Sequence, residues 1–539
     1  MKFYSSPVVA IVAAALLASC GAVKPASDYT HLNYIGKNAT FVERTSEPNE
    51  TDKQRWSHLD IIKDSLPGMS VDRAYAELLK GKTATTVIVG VIDSGIDINH
   101  PDLKPRVWTN AKEIPGNGID DDKNGYADDI HGWNFLGNSN DENLEMTRVL
   151  KKADDGSKEY AAAKKEYEAE FQEAMAGKQQ MTMLQGLVNE MKKEIGKDSF
   201  TSEDLKNKEF SNPMLNQMKG QFAMILQQVE LKDIEKQFEE GLTHYNSKLD
   251  FHLNKEFDGR KVVGDNPNDI NDKIYGDGNV IGPILSESLH GTHVAGIIAQ
   301  VRGNGIGGDG VGNEHVQIMA LRAVPNGDEY DKDIALAIRY AVDNGAKVIN
   351  GSFGKSYSPN KQWVFDAIKY AASKDVLFVH AAGNDGKDLD LAENTNFPND
   401  SYGNPAEEFA NNVLTIGALN PALGEDLPAG FSNYGTHNVD IFAPGVEIYA
   451  TAPDNTYRYL QGTSMASPNV AGVAALIRAY YPKLSAAQVK EIIMASGVAI
   501  DQEVNLGNGT EKRQFSKASR TGKVVNAYNA LLLAAEMSK

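Results

Sequence analysis

The chain has 539 residues, and its 54 Lys and Arg against 73 Asp and Glu give a formal net charge of -19. That balance, with no basic cluster to offset it, argues against nucleic acid as a partner and suits an acidic enzyme that can also hold cations. The length allows about three or four domains, and the single cysteine, Cys20, rules out an intrachain disulfide.

Met1-Lys2 precedes a short apolar run over residues 8–17 and then Leu17-Ala18-Ser19-Cys20. One positive charge, a short apolar stretch and small residues before a cleavage point make a secretory signal rather than a spanning helix. The tetrapeptide ending in Cys20 resembles a bacterial lipoprotein signal; an ordinary signal with an incidental cysteine is the plainer alternative. The resemblance implies removal of residues 1–19, lipid on Cys20, export, and anchoring to a bacterial membrane at its periplasmic face or the cell surface. Residues 20–70 are polar without sustained periodicity and read as a lipidated tether leading into the next domain.

Residues 85–92 form a continuous apolar run rich in β-branched side chains. Such a run predicts a strand buried on both faces of a parallel sheet. Asp93 then falls at its carboxyl end, where α/β sheets place their sites; alone, it would read as a strand-end cap. Downstream, residues 116–129 set Asp120, Asp122, Asn124 and Asp129 at short spacings among glycines, with the Tyr126 carbonyl as a further oxygen. These hard oxygens on one turn suit calcium, while a solvated acidic turn explains the same residues without an ion.

Residues 141–256 differ in kind, being rich in Lys, Glu, Gln, Met and Ala. Leu184, Leu187, Val188, Met191 and Ile195 recur at helical spacing, as do Met214, Met218, Phe222, Ile225 and Val229. The block predicts an all-helical insertion, its methionines serving as core. The flanking segments, 71–140 and 257–539, then form one catalytic domain.

Leu289-His290-Gly291-Thr292-His293 opens an apolar helix, with either histidine on much the same face. Segments predicted as strands end at Ser352-Phe353-Gly354 and at Ala381-Ala382-Gly383-Asn384. Gln461-Gly462-Thr463-Ser464-Met465-Ala466-Ser467-Pro468 then leads into a buried apolar helix. That puts Ser464 near a helix N-terminus, where free N–H groups favour developing negative charge. Strands alternating with helices predict a doubly wound, mainly parallel α/β sheet flanked by helices.

These four stretches, in the order Asp, His, Asn, Ser, resemble the subtilisin-like serine proteases. The resemblance implies a serine endopeptidase acting on proteins or peptides through an acyl-enzyme, with Asp93, His290 and Ser464 as its triad. It further implies Asn384 as oxyanion donor, Ser352, Phe353, Gly354, Ala382 and Gly383 as substrate-binding edges, and the 116–129 loop as a structural calcium site, with no catalytic cofactor. It says nothing of the insertion. Two rivals stay open: an inactive binding protein on the same scaffold, and an esterase, although the G-x-S-x-G elbow is missing.

Overall fold

The computed structural model describes residues 25–539 except 30, 37–40, 43, 45 and 404–406. The leader and Cys20 therefore lie outside the described residues. Seven strands run in chain order: β1 Val87–Asp93, β2 Gly132–Asn134, β3 Val316–Arg322, β4 Val348–Gly351, β5 Leu377–Ala381, β6 Val413–Leu419 and β7 Ile441–Pro444. A hairpin, β8 Ile448–Ala452 and β9 Thr456–Leu460, follows them. Then come β10 Val498–Ala499, a second hairpin of β11 Glu503–Leu506 and β12 Glu511–Gln514, and β13 Lys523–Val524.

Nine of these make one sheet in the order β10-β13-β7-β6-β5-β4-β1-β3-β2. All its pairings are parallel except β10 with β13. The cause is legible in β3, where side chains alternate between two apolar layers. Ile318 and Ala320 join a core shared with the helix Thr463–Tyr480. Met319 and Leu321 join a core shared with the helices Asp331–Asp343 and Lys361–Ser373. This is the doubly wound α/β architecture, and β1 lies between β3 and β4, so Asp93 opens into the crevice at the strands' carboxyl ends.

The segment leading into the sheet is part of the core rather than a loose tether over its described length. Leu32, Ile35, Trp56, Ile61, Leu66 and Met69 are buried in the main cluster. The Ile35 N–H donates to Asn529 Oδ1 at 2.8 Å, and Asn529 returns a bond to the Ile35 carbonyl at 3.1 Å. Asn529 belongs to the C-terminal helix Ala527–Met537, whose apolar face is buried against the same core.

Between β2 and β3 the chain makes helices over Glu145–Leu150, Lys158–Ile195, Ser202–Lys206, Pro213–Ile225 and Leu231–Ser247. The long helix is capped at its start by Ser157 and ends at Gly196 in the left-handed conformation. Two separate clusters hold this block. The distal one joins Leu187, Val188 and Met191 to Leu215, Phe222, Leu231, Ile234 and Phe238. The proximal one joins Met146, Val149, Ala163 and Ala174 to Leu253, with Tyr357 of the sheet domain packed against it. Of the second expected stripe, Phe222 is buried, whereas Met214, Ile225 and Val229 are exposed. Helix Pro213–Ile225 turns Leu215 inward instead, on one face with Met218 and Phe222 at helical spacing.

Buried ion pairs fix the root of this block to the sheet domain. Glu145 accepts from Arg148 at 2.5 Å and from Lys355 at 2.8 Å, and all three side chains are under a tenth exposed. Arg148 also lies over the Tyr330 ring at 4.0 Å. Such hydrogen-bonded pairs fix geometry more than they add stability.

Candidate active site

Asp93 is the last residue of β1 and is 1% exposed. Its Oδ1 accepts the Ser94 N–H at 2.7 Å and the His290 Nδ1 at 2.8 Å. His290 is the second residue of the helix Leu289–Ala299. That helix comes this close because its next residue is glycine: a Cβ on Gly291 would lie 2.2 Å from the Gly95 carbonyl oxygen. The His290 side chain keeps 40% of its surface open, so a substrate can reach it. Withdrawal from water would lower its pKa, but the Asp93 charge and hydrogen bond outweigh that and raise it above the ordinary value.

His293 is not interchangeable with it. It is fully buried and its Nε2 bonds the Arg458 carbonyl at 3.0 Å. Burial pushes its pKa down to about 4.

Ser464 is the second residue of Thr463–Tyr480, after Gly462 at φ 149°. Pro468 therefore lies beyond the first turn, where its missing N–H leaves the Ser464 carbonyl without a helical donor. The Ser352 hydroxyl supplies that donor at 2.9 Å. In return the Ser464 hydroxyl donates to the Ser352 carbonyl at 3.1 Å. Asn350 holds the Ser352 hydroxyl at 2.9 Å and accepts from Ser467 at 2.7 Å. Ser464 is thus clamped by β4 and its trailing residue.

Asn384 follows β5. Its Oδ1 accepts the Thr463 N–H and the Thr463 hydroxyl, each at 2.9 Å. The backbone N–H, which can only donate, fixes which end of the amide is oxygen, and the NH2 group is left on the cavity that Ser464 also lines. Gly354, Gly383, Asn384, Thr463 and Ser464 line one cavity of about 410 Å³. Asp93, His290 and Ser352 line a second of about 320 Å³.

The five residues expected to clasp substrate divide. Phe353, Gly354 and Gly383 line the cavity that Ser464 lines. Ser352 is 4% exposed, and its side chain serves the clamp. The Phe353 carbonyl is taken by His380 Nε2 at 2.7 Å. The Ala382 carbonyl already accepts from Asn433 at 2.9 Å and Asn396 at 3.0 Å. Thr463, missed in the sequence, is signalled by its place beside Ser464, whereas Asn396 stands ten residues past Gly386 and carries no local signal.

The acidic loop also differs from expectation. Asp120 and Asp122 converge with Glu113, their carboxylate oxygens lying within 4.8 Å of one another. Asp129 turns away, accepting from Asn110, Asn124 and Tyr340. The Asn124 oxygen accepts the Tyr126 N–H at 2.8 Å. The Tyr126 ring packs against Trp133 and Tyr340. Three convergent carboxylates fit a hard cation such as calcium, but the converging set is Glu113, Asp120 and Asp122.

The fold and this geometry define an α/β protein with a carboxylate-oriented histidine, a serine at a helix N-terminus and a free amide donor. The chain belongs to the subtilase family, whose model matches residues 84–516. It is 44% identical over 189 residues to the thermophilic serine proteinase of Bacillus sp. (strain AK1), covering 35% of this chain and 42% of that one. It is 36% identical over 222 residues to subtilisin DY of Bacillus licheniformis, 41% of this chain and 74% of that one. It is 35% identical over 251 residues to subtilisin-like protease 1 of Plasmodium vivax, 44% of this chain and 39% of that one. The chain thus spans about two-fifths of the length of the first and third of these relatives.

Proposed function

We propose that this chain is a serine endopeptidase working through Asp93, His290 and Ser464. What carries the reading is the 2.8 Å bond between His290 Nδ1 and Asp93, with Ser464 clamped by Ser352, which lines the His290 hollow, in a chain of the subtilase family. The bond leaves His290 Nε2 to accept a proton. Ser464 leaves the Ser352 carbonyl, gives its proton to His290 and attacks the scissile carbonyl carbon. The oxyanion accepts from the Asn384 NH2 and the Ser464 N–H. His290 then protonates the departing amine, and water releases the acyl group by the same route.

A fluorophosphonate probe tests this. Ser464→Ala should abolish labelling and lower kcat about a million-fold, the size of loss that removing the triad serine causes in subtilisin itself. Asn384→Ala should cost about a hundred- to a thousand-fold in kcat, again by the subtilisin precedent. Peptidase activity retained in Ser464→Ala would remove the assignment, and turnover of esters without peptides would favour the esterase.

Two further readings belong to this proposal. The first is an exported lipoprotein held in a bacterial membrane through Cys20, supported by residues 17–20. Mass spectrometry of the mature N-terminus should find lipid on Cys20, and an unmodified product starting downstream would overturn it. The second is structural calcium on Glu113, Asp120 and Asp122, supported by their convergence. An ion bound only by the folded form adds about 2.7 kcal/mol at a hundredfold excess over Kd. EGTA should lower Tm, and Asp120→Ala with Asp122→Ala should abolish that response. An equal Tm in both media, with no calcium in the purified protein, would remove the site.

A further inference from the structure

The helical insertion contributes part of the wall around the nucleophile. Leu144, Met146, Glu166 and Glu170 line the same cavity as Ser464 and Asn384. The last two of the four stand one turn apart on the long helix Lys158–Ile195. The root of the block is locked by the buried Glu145–Lys355 and Arg148–Glu145 pairs, so this wall is held in place beside the serine.

The charges on the Ser464 cavity are unbalanced. In the nucleophile's cavity Lys355 is taken by Glu145 and Asp331, and Glu170 is paired with Lys248. Glu166 accepts only the neutral Tyr357 hydroxyl, at 2.7 Å, and Asp385 has no ion-pair partner among the described residues. Carboxylates left unpaired in a partly closed cleft favour a ligand that brings positive charge.

We propose that the insertion makes this cleft selective for basic peptides, with Glu166 receiving a lysine or arginine close to the scissile bond. The proposal rests on the peptidase reading above and adds its substrate class. Glu166 is then a specificity-determining residue.

The test uses paired fluorogenic peptides that differ only in arginine or its uncharged isostere citrulline, scanned through the positions beside the cleaved bond. The full-length protein should show a kcat/KM ratio of about tenfold for arginine over citrulline at one or more positions, the worth of one well-placed charge pair. The ratio should shrink in about 1 M salt, where the screening length is about 3 Å. Glu166→Gln keeps an acceptor for Tyr357 and should lower the ratio about three- to fivefold; Glu166→Lys should lower it further. A wild-type ratio near one at every position overturns the proposal, as does a ratio unmoved in both variants. Fluorophosphonate labelling of the same preparations separates the two readings: labelled enzyme without the preference removes only the basic specificity, whereas unlabelled wild type removes both.

Discussion

At the scale of single residues, the His290–Asp93 bond sets a pH dependence. His290 accepts the Ser464 proton only when neutral, so kcat/KM should rise with pH through its pKa. Asp93 raises that pKa above the ordinary 6.5, which puts the acid limb of the profile above 6.5. Asp93→Asn removes the charge that raises it. The limb should move to lower pH while kcat falls about ten-thousand-fold. A profile whose limb stays put in Asp93→Asn would mean that another group controls it. Asp93, His290, Asn384 and Ser464 were readable because each closes a short local pattern: an apolar strand, a small-residue helix, a second strand, a glycine turn. Glu113 was not, since it stands seven residues before Asp120 and meets it only when the loop folds back. Nor was the part Ser352 plays, because its hydroxyl serves a carbonyl 112 residues away in sequence, freed by a proline whose effect depends on where the helix starts.

Among the elements, the insertion divides at its waist. Gly177 sits where a Cβ would come 2.2 Å from the Tyr245 ring, and Gly241 faces Met181, so the long helix and Leu231–Ser247 run side by side at that level. The distal cluster lies beyond, and the proximal cluster with Glu166 lies on the near side. Replacing residues 178–240 with a short turn should therefore remove one core and spare the other. Cleavage of small peptides should stay within about twofold of wild type, while Tm changes little because the two clusters share no buried residue. Loss of folding on this deletion would show the two cores to be one cooperative unit. The helical character of the block followed from its composition and spacing. Which face is buried followed less well: Leu187, Val188 and Met191 are inside as their spacing predicts, but Leu215, which shares helical spacing with Met218 and Phe222 as well as Met214 does, is the residue buried against the neighbouring helices.

Across the whole molecule, buried titratable groups tie stability to pH. His58, His293 and His380 have pKa values pushed down to about 3, 4 and 4, chiefly by burial. Above 6.5 they are neutral in folded and unfolded chains alike. As pH falls below 6.5 the unfolded chain takes up protons that the native state refuses, so stability is lost. Burial raises Asp400 to about 7 and Glu329 to about 8. Those two act oppositely, the native state being favoured as pH falls toward their ordinary range near 4. Urea unfolding should then give lower stability at pH 8 than at 6.5, where Asp400, Glu329 and His290 lose protons that the native state holds more tightly than the unfolded chain. A flat profile across this span would contradict it.

The packing of the N-terminal segment also bears on how far the domain would stand from the lipid proposed on Cys20. Ala26 is buried, and its N–H donates to Glu491 at 2.7 Å, so the chain is held to the domain at that residue. With lipid on Cys20, six residues remain as mooring, a contour of at most about 20 Å. The catalytic domain would ride against the headgroups with almost no slack, able to pivot but not to roam. Its reach would be limited to chains that come to the bilayer surface.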